Sequence, residues 1–129
     1  MSERSEVQTS AAPAAIGPYS QGIRTGQLVF AAGQTGTIPA SGELAEGVAA
    51  QAERALQNLE AVLDAAGSGP DRVLKTTIFL VDMDDFATVN EVYARHFPVP
   101  YPARSTVCVK ALPKGALVEV EAVALREES

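Results

Sequence analysis

Arg104 and Glu119 are the side chains of this 129-residue chain whose type and setting suit chemistry on a small polar molecule. Arg104 follows Pro102-Ala103 at the start of an extended run, so a stiff backbone aims its side chain. A planar guanidinium held in this way grips a small carboxylate through two parallel hydrogen bonds. The alternative for it is a surface salt bridge. Glu119 lies in an otherwise largely apolar strand and is the candidate general base or water-orienting group. Its alternative is an ion pair at a subunit interface.

The other reactive residue types read as structural. The single histidine, His96, falls near a helix end, where a partly protonated imidazole meets the carbonyl terminus. Without a second histidine, a two-histidine acid/base mechanism is not available, and no Gly-x-Ser-x-Gly supplies a serine nucleophile. The single cysteine, Cys108, sits within Val107-Cys108-Val109 and reads as a buried small hydrophobe. With one His and one Cys a zinc set is disfavoured, and Asp82-Met83-Asp84-Asp85 is explained by helix capping. No metal site is expected. Gly33-Gln34-Thr35-Gly36 lacks the Lys and the spacing of a phosphate loop. It is either a strand-to-loop bend or a close backbone approach to a small ligand.

The elements that must position these residues are legible. Gln21 to Arg24 and Leu28 to Ala32 read as short strands joined at Thr25-Gly26-Gln27. Val48, Ala52, Ala55, Leu56, Leu59, Val62, Leu63 and Ala66 recur at helical spacing, with Gly67 as the stop. Residues 73–81 form a β-branched run that ends apolar on both faces, as suits a central strand. A second helix follows Asp82 or Asp84, with Phe86, Val89, Tyr93 and Phe97 on its buried stripe, and Pro98, Pro100 and Pro102 end it. Strands at 104–111 and 117–125 close the chain. The order ββ-α-β-α-ββ predicts an α+β fold, a mixed sheet with two helices packed on one face.

In the last strand Val118, Val120, Ala122 and Ala124 alternate with Leu117, Glu119, Glu121, Val123 and Leu125. The first set suits the helix-covered face. The second mixes apolar residues with two carboxylates, which fits a subunit interface containing a polar site better than bare solvent. A hairpin about Leu112-Pro113-Lys114-Gly115 would put Glu119 opposite about Val109, with Arg104 some 16–17 Å away at the usual strand rise. One small substrate would then meet both only between subunits.

Length and composition bound the rest. The chain suits one domain over residues 14–129, with residues 1–13 as an unanchored start. No apolar run approaches the roughly 20 residues of a membrane span. Ten Lys plus Arg against sixteen Asp plus Glu give a net charge of −6, and no basic run appears, which disfavours nucleic acid. A single cysteine precludes an internal disulfide and agrees with a cytoplasmic location.

Several separate motifs share one resemblance. Ala14-Ala15-Ile16-Gly17-Pro18-Tyr19-Ser20-Gln21, Ala32-Gly33-Gln34, the run Lys75 to Tyr93, and Pro102-Ala103-Arg104-Ser105 through Leu112-Pro113-Lys114-Gly115 to Glu119-Val120-Glu121-Ala122 resemble the RidA/YjgF family. These are reactive enamine/imine deaminases, also labelled L-PSP endoribonucleases, and the likeness runs from about Ala12 to Arg126. It implies a chorismate-mutase-like fold and a homotrimer with clefts between subunits. It also implies cofactor-free hydrolysis of 2-imino acids, such as 2-iminopropanoate derived from 2-aminoacrylate, to 2-keto acids and ammonia. By position Arg104 matches the carboxylate-binding arginine and Glu119 the water-orienting glutamate. Tyr19 and Gly33 match cleft residues, and Asn90 the helix asparagine. Two positions depart from the common pattern: Ala32 replaces a hydroxyl residue and Thr106 the cleft cysteine, a role Cys108 does not inherit. The rival readings are a non-catalytic protein that binds a small 2-keto or amino acid, and an endoribonuclease, which the acidic balance opposes.

Overall fold

The apolar stripe read from residues 48–66 is the buried face of α1 (Val48–Ala65), where Ala52, Ala55, Leu56, Leu59, Val62 and Leu63 are all inside. Burying each Leu or Val of that stripe contributes about 1.5–3 kcal/mol, which docks the helix on the sheet. Gly67 ends it at φ +83°, and the Gly67 and Ser68 amides turn back to the Asp64 and Leu63 carbonyls at 3.1 and 2.8 Å. Gln51, expected on the solvent face, is instead buried and accepts a hydrogen bond from the Leu117 amide at 2.8 Å.

The computed structural model describes residues 3–127. Its strands are β1 (Ser5–Val7), β2 (Gly22–Thr25), β3 (Leu28–Thr35), β4 (Val73–Leu80), β5 (Ala103–Cys108) and β6 (Val118–Leu125), with α2 (Phe86–Ala94) between β4 and β5. They form one sheet in the order β1-β2-β3-β6-β4-β5. Only β4 and β5 run parallel. The α+β class and the expected element order are observed, with one strand added at the front. Residues 5–7, read as part of an unanchored start, pair with β2, and Val7 is buried beside Gly22 and Val62.

The expected hairpin of the last two strands is not formed. β4 lies between β5 and β6. The reason is the crossover: α2 returns the chain parallel to β4 on its outer side, leaving β5 as an edge. Residues 109–117 then pass over the end of β4, where the Val109 amide donates to Leu80 at 2.7 Å. Cys108, expected to be buried, is exposed on that edge strand. Phe86 is also exposed rather than part of the buried stripe of α2, which holds Val89, Val92 and Tyr93.

The alternation of β6 is observed as read. Val118, Val120, Ala122 and Ala124 are buried under the helices. On the other face Glu119 pairs with Phe79 and Thr35, Glu121 with Thr77, and Val123 with Phe30. Phe30 and Val107, exposed at 44% and 40%, leave this open face strongly apolar around its two carboxylates. Among the described residues no helix is long and apolar enough to cross a membrane.

Candidate active site: two half-sites on opposite sheet faces

Arg104 pairs in register with Thr76, which is fully buried beneath the helices, so the arginine starts from the helix-covered face at the sheet edge. Its guanidinium carbon stands 4.9 Å from the Tyr93 ring centroid and 5.5 Å from that of Phe86. Two aromatic faces hold a cation by about 0.5–2 kcal/mol each without consuming its hydrogen-bond donors. Tyr93 is itself fixed by a 2.7 Å hydrogen bond with the Thr76 hydroxyl and by the Phe97 ring at 4.5 Å. Burial pushes the Tyr93 phenol up from its ordinary value, with the Thr76 hydrogen bond and the Arg104 charge opposing.

Among the described residues no carboxylate lies within ion-pair distance of Arg104. The surface salt bridge that was its alternative is therefore not made. Asn90, Tyr93, Ala94, Tyr101 and Pro102 surround it in a cavity of about 360 Å³. Thr106, two residues along on the same face, has a buried hydroxyl oxygen with no hydrogen-bond partner. A buried hydroxyl left unpaired is unfavourable by about 1–3 kcal/mol.

Glu119 occupies a second cavity of about 350 Å³, together with Tyr19, Gly33, Ile16, Thr37 and Lys114. A bulge between Ala31 and Gln34 bends β3 here. Gly33 sits so close that a Cβ on it would lie 2.7 Å from the Glu119 carboxyl carbon. A glycine is thus required for the carboxylate to occupy its place. Burial pushes the Glu119 pKa up, and the neighbouring Glu121 charge adds to the rise. No lysine, arginine or histidine among the described residues pairs with it. A carboxylate short of solvent and of countercharge is a stronger base than a surface one.

The structure therefore brings Tyr19, Gly33 and Glu119 together, and separately Arg104 with Asn90, with Thr106 alongside the arginine. It does not bring the two groups together within one chain. Arg104 registers through Thr76 with Ala122, on the helix side, and Glu119 lies three residues away on the opposite side. The offset is about 10 Å across the sheet and about 10 Å along it.

His96 takes the structural role expected of it, with different partners. It follows the end of α2 and bridges Glu53 at 3.1 Å and Glu60 at 3.0 Å on α1. Burial opposes its charged form, but the two carboxylates outweigh it and the pKa is raised. The aromatic cradle of Arg104 had no signal in the sequence, since Tyr93 shows the same spacing as an ordinary core residue.

A family model described as Endoribonuclease L-PSP matches residues 9–126. The chain belongs to that family. A 2-iminobutanoate/2-iminopropanoate deaminase of Mus musculus is 47% identical over 124 residues, spanning 95% of this chain and 92% of the mouse protein. A RutC family protein, y4sK, of Sinorhizobium fredii is 51% identical over 118 residues, 91% of this chain and 94% of its own. A crystal structure of E. coli TdcF with bound serine superposes with a TM-score of 0.90 at 42% identity, covering 95% of this chain and 99% of TdcF. The RidA/YjgF resemblance of the sequence and the fold thus agree, and relatives within the family carry deaminase names.

Proposed function

We propose that the protein hydrolyses 2-imino acids to 2-keto acids and ammonium, in a site assembled between subunits. The observation that carries this reading is the contrast of an unpaired, aromatic-cradled guanidinium on one sheet face with a desolvated carboxylate that makes no ion pair on the other. The deaminase names of relatives support it. The substrate is R–C(=NH₂⁺)–COO⁻, reached from a 2-enamine by protonation at C3. Arg104 binds the carboxylate through its planar fork, with Asn90 lining that pocket and the Thr106 hydroxyl alongside as an additional donor or acceptor. Glu119 draws a proton from a water held against Gly33 and Tyr19, and the oxygen attacks the iminium carbon. The carbinolamine then collapses: Glu119 returns its proton to nitrogen, the C–N bond breaks and ammonia leaves as the C=O forms, and the hydroxyl proton, taken up through Glu119, converts the ammonia to ammonium. An iminium ion is already electrophilic, so positioning and one proton transfer suffice, without metal, cofactor or covalent intermediate.

Because the two groups occupy opposite faces, Arg104 of one subunit must meet Glu119 of another. A closed ring of three subunits, with the Arg104 edge of each set against the open face of the next, would bring every Arg104 to a Glu119 and cover Phe30 and Val107. An L-amino-acid oxidase that generates imine in situ supplies the test. Keto acid is expected to form well above the spontaneous rate, and a rate equal to it, with keto acid still bound, leaves the protein as a binder of small amino or keto acids.

A further inference from the structure

We propose that Gln21 is a positioning residue whose buried side-chain amide fastens the stretch running into the outer wall of the Glu119 cleft. Between β1 and β2 the chain has no regular structure, yet Pro13, Ala14, Ile16 and Tyr19 from this stretch, with Gln21 itself at the base, line the cleft that holds Glu119. Its hydrogen bonds are largely internal, such as the Ile16 amide to the Tyr19 hydroxyl at 3.3 Å. Gln21, only 3% exposed, gathers most of them at its side chain. Its Oε1 accepts from the Thr9 amide at 2.7 Å, and its Nε2 donates towards the carbonyls of Thr9, Ala12 and Pro13 at 3.1, 3.3 and 2.7 Å.

An amide carries two N–H donors, so one is shared between two carbonyls, and no other side chain of this size offers both a donor pair and an acceptor. The apolar anchor Ala12, 3% exposed, sits in the middle of the hooked stretch. The backbone of Gln21 serves the facing wall as well. Its carbonyl accepts from the Ala32 amide at 2.9 Å, next to Gly33 in the bulge of β3. One residue thus holds the strand end against which Glu119 packs and, through its side chain, the start of the segment that closes over it. Residues 9–13 carry the hydrogen bonds, and Ile16 and Tyr19 carry the contact with the cleft.

The kinetic consequence rests on the deaminase reading; the fastening itself does not. Gln21→Glu keeps the shape and the acceptor but loses the donors, and Gln21→Met loses both. In either variant, amide hydrogen exchange is expected to quicken at residues 9–19 while β6 keeps its protection. The KM for imine is expected to rise about tenfold with kcat changed less than about threefold, the pattern of a lost binding wall around an intact carboxylate. Should Gln21→Met fail to fold, Gln21→Glu carries the measurement. Unchanged exchange at 9–19 in the folded variants overturns the fastening. Quickened exchange with unaltered KM, or activity that falls only with the folded fraction, overturns the positioning role. If the parent protein turns over no imine, the deaminase reading fails, and the Kd for 2-oxobutanoate takes the place of KM. If it binds no keto acid either, the exchange result decides.

Discussion

The Arg104 pocket and the Glu119 cleft are built on opposite faces of one sheet and by opposite means. Around Arg104 bulk does the positioning: Phe86 and Tyr93 flank the guanidinium, Tyr93 is locked by Thr76 and Phe97, and no carboxylate competes for the fork. Around Glu119 the absence of bulk does it. A glycine stands against the carboxyl carbon, a bulge turns β3 aside, and the wall opposite is irregular chain. A binding group needs rigid orientation with its donors left open, whereas a base needs desolvation without a countercharge that would lower its pKa. The two requirements conflict in a single pocket, since an arginine beside Glu119 would depress its basicity before any substrate arrived. Within one chain the two groups lie on separate faces, so each is set up without the other beside it.

The largest expected effect tests the separation itself. Arg104→Ala is expected to leave no turnover above the spontaneous rate and no keto-acid binding, and Arg104→Lys to recover little, because an ammonium cannot reproduce the planar fork. Unfolding an equal mixture of Arg104→Ala and Glu119→Gln subunits and refolding them together should restore roughly a quarter of the parent activity if each site takes one residue from each of two subunits. A mixture as inactive as its components would return both residues to one chain and end the comparison.

Glu119→Gln alone is expected to lower kcat by about 10²–10⁴-fold while keto acid still binds. Its stability should move the other way. A carboxyl whose folded pKa is raised supports the fold fully below its unfolded value and loses that support as pH rises through the folded one. At neutral pH the charged Glu119 is therefore a burden, and the glutamine variant should melt at a higher temperature than the parent. A lower melting temperature at pH 7, with the same fold, would show that the cleft favours the charge.

Gly33→Ala sharpens the role of empty space. The added methyl meets the flexible end of Glu119 rather than backbone, so the side chain swings away and the fold survives. A shift of about 1 Å in a reacting group reduces rate by up to about 100-fold, so kcat should fall substantially at a nearly unchanged melting temperature. A fully active Gly33→Ala protein would mean that the carboxylate position is not critical. Glu121→Gln is subtler. Removing the neighbouring charge lowers the Glu119 pKa, so the acid limb of the kcat/KM profile should shift to lower pH. A limb that does not move would assign the titration to another group.

The smallest effect concerns the helix that carries the aromatic cradle. His96⁺ ties the end of α2 to Glu53 and Glu60 of α1, and its pKa is raised in the fold. That contribution is complete below the unfolded imidazole value near 6.5 and disappears as pH rises through the raised one. With Glu53 and Glu60 partly exposed it is worth about 1 kcal/mol, so the melting-temperature gap between the parent and His96→Phe should narrow as pH rises from about 6 towards 9. A gap independent of pH would reduce His96 to packing.

Sequence alone determined the parts governed by local periodicity and side-chain chemistry. The α1 stripe, the alternation of β6 and the Gly26 and Gly67 turns were all legible, and Arg104 and Glu119 stood out as candidates. The stripe and the alternation follow from 3.6- and 2-residue spacing, and the turns from glycine at positive φ. What the tertiary structure decided was adjacency between distant segments. Residues 103–108 and 118–125 look like a hairpin because a turn joins them, yet β4 separates them, since strand order depends on which edge a crossover helix leaves open. Edge placement exposed Cys108, whose apolar neighbours in sequence had suggested burial. Residues 5–7 gained a strand from a partner that lies fifteen or more positions away in the chain. Gln21, Tyr93 and Asn90 acquired their surroundings in the same way, from the fold rather than from their own neighbours. A hydrogen bond or an aromatic face has no sequence period, and it exists only once packing has brought its two halves together.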